Sequence, residues 1–593
     1  MNYPLKIFSR RTAISLLMLI NIPSWAQNSQ PSKAHDAHAA HSKSNSTMKT
    51  GQIPLKYFDP LKGKIQTLPS IKSPKIVEIK EGETFELRAE VVKQKIGKKT
   101  FRRFAYNGSI PGPIIKVKQG SNIKIKFINN TDVETSVHSH GLRLNYLFDG
   151  SVGISQPAVQ PGQTFVYELK FPDAGIYWYH PHVREDYQQD MGLMGNFIVE
   201  PKAGSHWSKV TTEDTIMLDD MLVENPIPYP VSAANHAMMG RYGDTYLVNG
   251  KFLPTLNYSK GEIRRYFLTN AANTRTFRIK IKNATMKVVG SDISPFEKEF
   301  MADSITIAPG ERYVIEVKFD KSAIPSLWNS NPQSETKIAV FKEAKLSQSK
   351  TIKLAKIKSE NITSDDFKEL RSNQSLESEI NSFIEKTKNA PPRNLKITVD
   401  LDAQNSKNRA NKNSTDSNLL HQDNTSQTAS SHLEHDTNST ALKNIENAVS
   451  DLNDIPWISS KTEIEWEDGM RAANERSTSD NVTWKLIDDS GNENMQIQWK
   501  FKKDVGEKIV INNSKSSTHP MQHPIHFHGQ RFIVYKVNDK LMENHVWKDT
   551  FLIGAGDKVE ILIDASNVGK WMAHCHISEH LTSGMMIGFD VLE

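Results

Sequence analysis

From about Lys75 onward the chain is written in short runs that alternate apolar and polar residues between glycine, asparagine and proline turns. In IVEIKEGETFELRAEVV and IIKVKQGSNIKIKFIN every second side chain falls on one face, which is the period of a half-buried strand and not of a helix. Pro111-Gly112-Pro113 interrupts the series, because proline fits neither a helix interior nor a central strand. FVYELKFP, IYWYH and NFIVE complete a first block over 71–202. IMLDDMLV, TYLVNG, RRYFLTNAA, TFRIKI and YVIEVKF form a second over 203–364, and MQIQWKF, KIVINN, RFIVYKV and KVEILIDA a third over 456–593. The pattern predicts an all-β chain of three successive sandwich-sized domains with few helices.

Between the second and third blocks the pattern thins. Residues 401–440 contain 19 Asn, Ser or Thr, and such a stretch cannot bury enough apolar surface to offset its ordering entropy. Residues 365–455 therefore read as a polar linker or insertion, with His421, His432 and His435 in solvent. Residues 27–70 read as a polar tail carrying His35, His38 and His41. Residues 1–26 read as an export signal: Arg10-Arg11, a short apolar run from Ala13 to Ile22, then the small-x-small site Ser24-Trp25-Ala26. The paired arginines suggest twin-arginine export to the periplasm or beyond, although an ordinary secretory leader has the same parts. The apolar run is too short to span a bilayer and no second one follows. A net charge of +6, with no basic block interleaved with aromatics, speaks against a nucleic-acid partner. The single cysteine, Cys575, rules out an intrachain disulfide and leaves packing, ligation or nucleophilic chemistry.

Half of the 20 histidines fall in four clusters: His138-Ser139-His140, His180-Pro181-His182, His523-Pro524-Ile525-His526-Phe527-His528, and His574-Cys575-His576 with His580 close behind. Residues i and i+2 of a strand share a face, so each HxH pair projects two imidazoles together, and Cys575 points opposite to His574 and His576. A thiolate, two histidines and a distant thioether suit an electron-transfer copper, and Cys575, His523, His580 and Met585 supply that set. The eight remaining imidazoles are too many for one ion. Shared among three, they leave positions open for a small ligand. A structural zinc site is disfavoured by the single cysteine.

These motifs resemble the multicopper oxidase family, and the stretch from HPMQHPIHFHG to HCHISEHLTSGMM carries most of the likeness. The resemblance implies three consecutive cupredoxin-like Greek-key β-sandwich domains and about four coppers, with a trinuclear cluster between the first and third domains. By position it assigns His523, Cys575, His580 and axial Met585 to type 1 copper. His138 and His526 go to type 2 copper, and His140, His180, His182, His528, His574 and His576 to the type 3 pair. Electrons then pass from Cys575 to His574 or His576, entering by an exposed edge of His523 or His580, and Asp149 is the expected proton relay. Two departures stand out: Ser139 where many relatives have tryptophan, and Leu581 where many bacterial relatives have an acid. The implied activity couples one-electron oxidation of phenols, aromatic amines or metal ions to reduction of dioxygen to water, by a monomer. Alternatives are a dedicated cuprous oxidase for copper tolerance and a non-catalytic periplasmic copper-binding protein. A copper nitrite reductase would leave histidine clusters unused.

Overall fold

In the strand Asn122–Asn130, Ile123, Ile125 and Phe127 are buried while Asn122, Lys124 and Lys126 face solvent. Strands at the outer faces share this alternation, whereas inner strands such as Gly175–His180 and Ile263–Asn270 are buried on both faces. The computed structural model describes residues 57–202, 207–320, 322–344, 367–401 and 463–593, and their regular elements are nearly all strands. In the first domain, the sheet Lys99–Tyr106, Thr84–Ile96, Asn122–Asn130, Thr164–Lys170 packs on a five-stranded one. That second sheet runs Ile76–Glu78, Ile114–Lys118, Gly195–Glu200, Gly175–His180, His138–His140. Parallel neighbours such as Thr84–Ile96 with Asn122–Asn130 arise where the chain crosses between sheets. The second domain pairs a seven-stranded with a five-stranded sheet, and the third a six-stranded with a five-stranded one. The architecture is the all-β, cupredoxin-like one that the sequence pattern and the family resemblance imply.

The linker expected over 365–455 is corrected for its first part. Gln374–Thr387 is a helix whose Leu376, Ile380 and Ile384, spaced by four, form one buried face. Asn373 caps it by accepting from the Leu376 amide. Pro392–Leu401 is a strand, with Leu395, Ile397 and Val399 buried, and it lies between Val482–Ile487 and Glu507–Asn512 of the third domain. Both elements carry regular apolar spacing that the polar composition of the following tract masks. The third domain thus begins before the insertion. The tail assigned to 27–70 is also shorter than expected. Tyr57–Phe58 pairs with Tyr229–Pro230, Phe58 stacks on Tyr187 at 4.2 Å, and Ile65 is buried. The leader, the tail histidines and His421, His432 and His435 lie outside the described residues. No helix among those described is long and apolar enough to cross a membrane.

Candidate metal centre

In the first domain the strand His138–His140 pairs antiparallel with Gly175–His180, setting His138 opposite His180. In the third, His523–Phe527 pairs with Gly569–Cys575, setting His526 opposite His574 and Ile525 opposite Cys575. The ends of these four strands meet across the domain boundary. His138 stacks on His528 at 4.1 Å between ring centroids, and His140 on His526 at 3.7 Å. All eight imidazoles are buried. Their nitrogens gather into overlapping triads, within 4.8 Å inside each: His138, His140 and His526; His140, His180 and His576; His182, His528 and His574.

Hydrogen bonds fix which nitrogen most of these rings turn inward. The Nδ1–H groups of His138, His180, His526 and His574 donate to the carbonyls of Asp149 (2.7 Å), Pro181 (2.8 Å), Asp549 (2.8 Å) and Cys575 (2.9 Å). The Nε2 atoms of His138, His180 and His526 are buried with no protein partner. His528 donates through Nδ1 to Asp149 Oδ2 (2.8 Å), which leaves its Nε2 lone pair 2.9 Å from the Nε2 of His574. Burial, followed by the neighbouring histidines, pushes both rings well below the usual imidazole pKa. Two neutral nitrogens with facing lone pairs are unfavourable unless a cation satisfies both. The donor set therefore fits copper, as a buried, imidazole-rich cavity should.

The second cluster lies beyond Cys575. Its Sγ is 3.6 Å from His523 Nδ1 and 3.8 Å from His580 Nδ1, and those nitrogens are 3.3 Å apart. Burial pushes the thiol pKa up and holds His523 down to about 3. A thiolate here requires a cation, because a coordinating metal deprotonates the thiol outright. Met585 is buried in the same core, its carbonyl accepting from the Cys575 amide (3.1 Å). The expected exposed edge is absent: His523 and His580 are fully buried. Trp484 covers them, stacked on His580 at 4.3 Å and edge-on to His523 at 4.7 Å, while its Nε1–H donates to the Ala237 carbonyl of the second domain (2.9 Å).

Asp149 sits in a turn and in the site at once. Gly150 takes φ +88°, and a Cβ there would collide with the Val137 carbonyl, so glycine lets the turn pass under the strand His138–His140. The buried Asp149 carboxylate thereby reaches His528, accepts from Ser151 Oγ and lies 3.4 Å from His138 Nδ1. Burial alone would raise its pKa, but His528 and His138 hold it well below the carboxylate range. Ser139 is buried on the strand face opposite to His138 and His140, and Leu581 lines a cavity of about 300 Å³ that also touches His182 and Glu185.

Sequence reasoning missed several residues. Glu185 pairs with His182 Nδ1 at 2.8 Å. Glu579, raised by burial to about 8, accepts from Asn273 and Thr274 of the second domain and anchors the short helix Ser578–Thr582 that carries His580. Asp549 contacts His140 Nε2 at 2.9 Å and forks onto Arg312. The signal for Asp549 was a Lys-Asp pair inside the apolar run HVWKDTFLIG.

Three family models, each described as multicopper oxidase, match residues 89–204, 211–343 and 470–593. The chain belongs to the multicopper oxidase family. This oxidoreductase is 26% identical over 533 residues to the multicopper oxidase mco of Staphylococcus aureus, covering 87% of this chain and 91% of that one. It is 26% identical over 289 residues to copper resistance protein A of Pseudomonas syringae pv. tomato, covering 41% and 47%. In fold it is similar to the multicopper oxidase from Pseudomonas thermotolerans, with a TM-score of 0.58 and 21% identity over 87% of this chain and all of that one. Membership implies copper, and the two histidine clusters are where this multicopper oxidase has donors for it.

Proposed function

We propose that this chain binds about four coppers and couples one-electron oxidation of a donor to four-electron reduction of dioxygen to water. His523, Cys575, His580 and Met585 hold type 1 copper, and His138 and His526 hold type 2. The type 3 pair divides between His140, His180 and His576 on one side and His182, His528 and His574 on the other. When bound, copper supplies reversible one-electron chemistry at the thiolate and dioxygen reduction among the imidazoles. The observation that carries the reading is the end of the strand Gly569–Cys575. There one residue of the thiolate cluster is bonded on both sides to residues of the imidazole cluster, and the His574 Nδ1–H to Cys575 carbonyl bond adds a second link. A binding or storage protein has no need of that wiring. Asp149, between His138 and His528, is positioned to hold and pass protons to the imidazole cavity.

The donor is a phenol, an aromatic amine or a metal ion. Complete burial of His523 and His580 under Trp484 favours the second reading, a cuprous oxidase, because no ligand edge is open to a bulky ring. Export to the periplasm accords with either. The test is copper content and oxygen consumption of wild type and Cys575→Ser, with Cu(I) and a phenol compared under one condition. Wild type should be blue and consume oxygen. Cys575→Ser should lose the colour and turnover but keep most of the remaining copper. A loaded, colourless wild type would refute the type 1 assignment, and a blue one that consumes no oxygen would make the protein a carrier.

A further inference from the structure

We propose that the buried Arg312–Asp549 pair is a positioning device for the imidazole cavity. It dictates which nitrogen His140 presents to copper and ties that choice to the second domain. The proposal rests on the copper reading above. Both residues act through His140 and His526.

Asp549 is fully buried and all its acceptors are used. Oδ1 accepts from His140 Nε2 (2.9 Å), from Thr550 Oγ1 (2.8 Å) and from Arg312 Nη1 (2.6 Å). Oδ2 accepts from Arg312 Nη2 (2.5 Å), completing a two-pronged guanidinium–carboxylate contact. The Asp549 carbonyl accepts from His526 Nδ1 (2.8 Å). One residue thus orients two stacked imidazoles, His140 of the first domain and His526 of the third. It is itself held by a side chain of the second domain, which contributes none of the proposed copper ligands.

The consequence is specific. His138, His180, His526 and His574 commit Nδ1 to carbonyls and turn Nε2 inward. His140 is reversed: Asp549 takes its Nε2, and only Nδ1, buried and without a partner, is left for a metal. Arg312 is braced so that the carboxylate cannot swing away. Its Nε donates to the Ile176 carbonyl (3.2 Å), its Nη1 to the Gly310 carbonyl (3.1 Å), and its backbone amide to Asp292 Oδ1 (2.8 Å). Gly141, at φ +86°, makes room, since a Cβ there would run into Asp549 Oδ2 and Arg312 Nη2. A fully buried ion pair is a poor source of net stability, because desolvation offsets the Coulomb gain. Its location against two metal-facing rings accounts for its presence better than stability does. Residues that orient metal-binding histidines in this way typically change metal affinity about 10- to 100-fold when removed.

The test uses full-length, copper-loaded protein with Asp549→Asn, Arg312→Gln and Arg312→Lys. It reads copper per chain after dialysis against a chelator, the electron paramagnetic resonance spectrum and the thermal midpoint. The blue band at Cys575 serves as internal control. Asp549→Asn and Arg312→Gln should hold one copper about 10- to 100-fold more weakly. The resonance of the remaining imidazole-bound copper should change while the blue band does not, and Arg312→Lys, which keeps the charge but loses the fork, should fall between. Lys287→Met separates stability from positioning: Lys287 is a fully buried cation of the second domain, paired with Glu299 and Glu316 at 3.1 Å each and outside the Arg312–Asp549 network. Wild-type retention and resonance in Asp549→Asn and Arg312→Gln would overturn the proposal, as would an equal spectral change in Lys287→Met. If Asp549→Asn does not fold, Arg312→Lys decides by the same readouts. A wild-type chain without copper would instead overturn the reading on which the proposal rests.

Discussion

Replacing Trp484 by Phe separates two consequences of the way this residue covers the thiolate cluster. The indole is fully buried, and its Nε1–H satisfies the Ala237 carbonyl at 2.9 Å. Phenylalanine keeps an aromatic face on His580 but strands that carbonyl, at a cost of about 1–3 kcal/mol. The smaller ring forfeits about 0.5–1.5 kcal/mol of stacking with His580 and His523. The expected loss is about 1.5–4.5 kcal/mol in all, measured by denaturant unfolding of the loaded protein. The indole is itself sealed from solvent, so the space it vacates is internal and opens no path to the imidazole edges. The ratio of the rates with a bulky phenol and with Cu(I) should therefore stay at its wild-type value, and a rise in that ratio would refute the reading that the ligand rings lie wholly inside the core. No loss of stability would refute the hydrogen-bond accounting.

Copper-free protein should weaken in acid. Burial holds His523 at about 3 in the folded chain against about 6.5 unfolded. Protons therefore favour the unfolded state, and the stability present above pH 6.5 falls as pH drops toward 3. His523 alone accounts for about 2 kcal/mol by pH 5. Unfolding free energies of apo wild type and His523→Gln at pH 7 and 5 check this, and equal pH dependences would refute it. Asp149→Asn keeps the turn but removes the carboxylate, so reduction by donor should stay fast while reoxidation by dioxygen, normalised to bound copper, slows about 100-fold or more. An unchanged reoxidation rate between pH 5 and 8 would leave Asp149 a structural residue. Deleting residues 405–440 should leave copper loading near wild type, because 401–440 is rich in Asn, Ser and Thr, and failure to load would refute the insertion reading.

The local pattern of the chain was enough to determine its class. Period-two alternation requires strands, three blocks of it require three β domains, and HxH spacing in a strand requires paired imidazoles on one face. Cys575 between His574 and His576 determined that the two candidate metal clusters would be covalent neighbours, because adjacent strand residues face opposite ways. The helix Gln374–Thr387 and the strand Pro392–Leu401 were legible by the same rules, through Leu376, Ile380 and Ile384 and through Leu395, Ile397 and Val399. They were obscured by the polar tract that follows. Only the tertiary structure decided which nitrogen each histidine turns inward, because that choice belongs to partners hundreds of residues away: Asp549 for His140, and Asp149 for His528. It alone showed Trp484 closing over His523 and His580, and Arg312 reaching from a domain without proposed ligands to the imidazole cavity. Side-chain periodicity is a property of neighbours in the chain. Hydrogen-bond direction and burial depend on what the fold brings against them, and no spacing in the sequence encodes that.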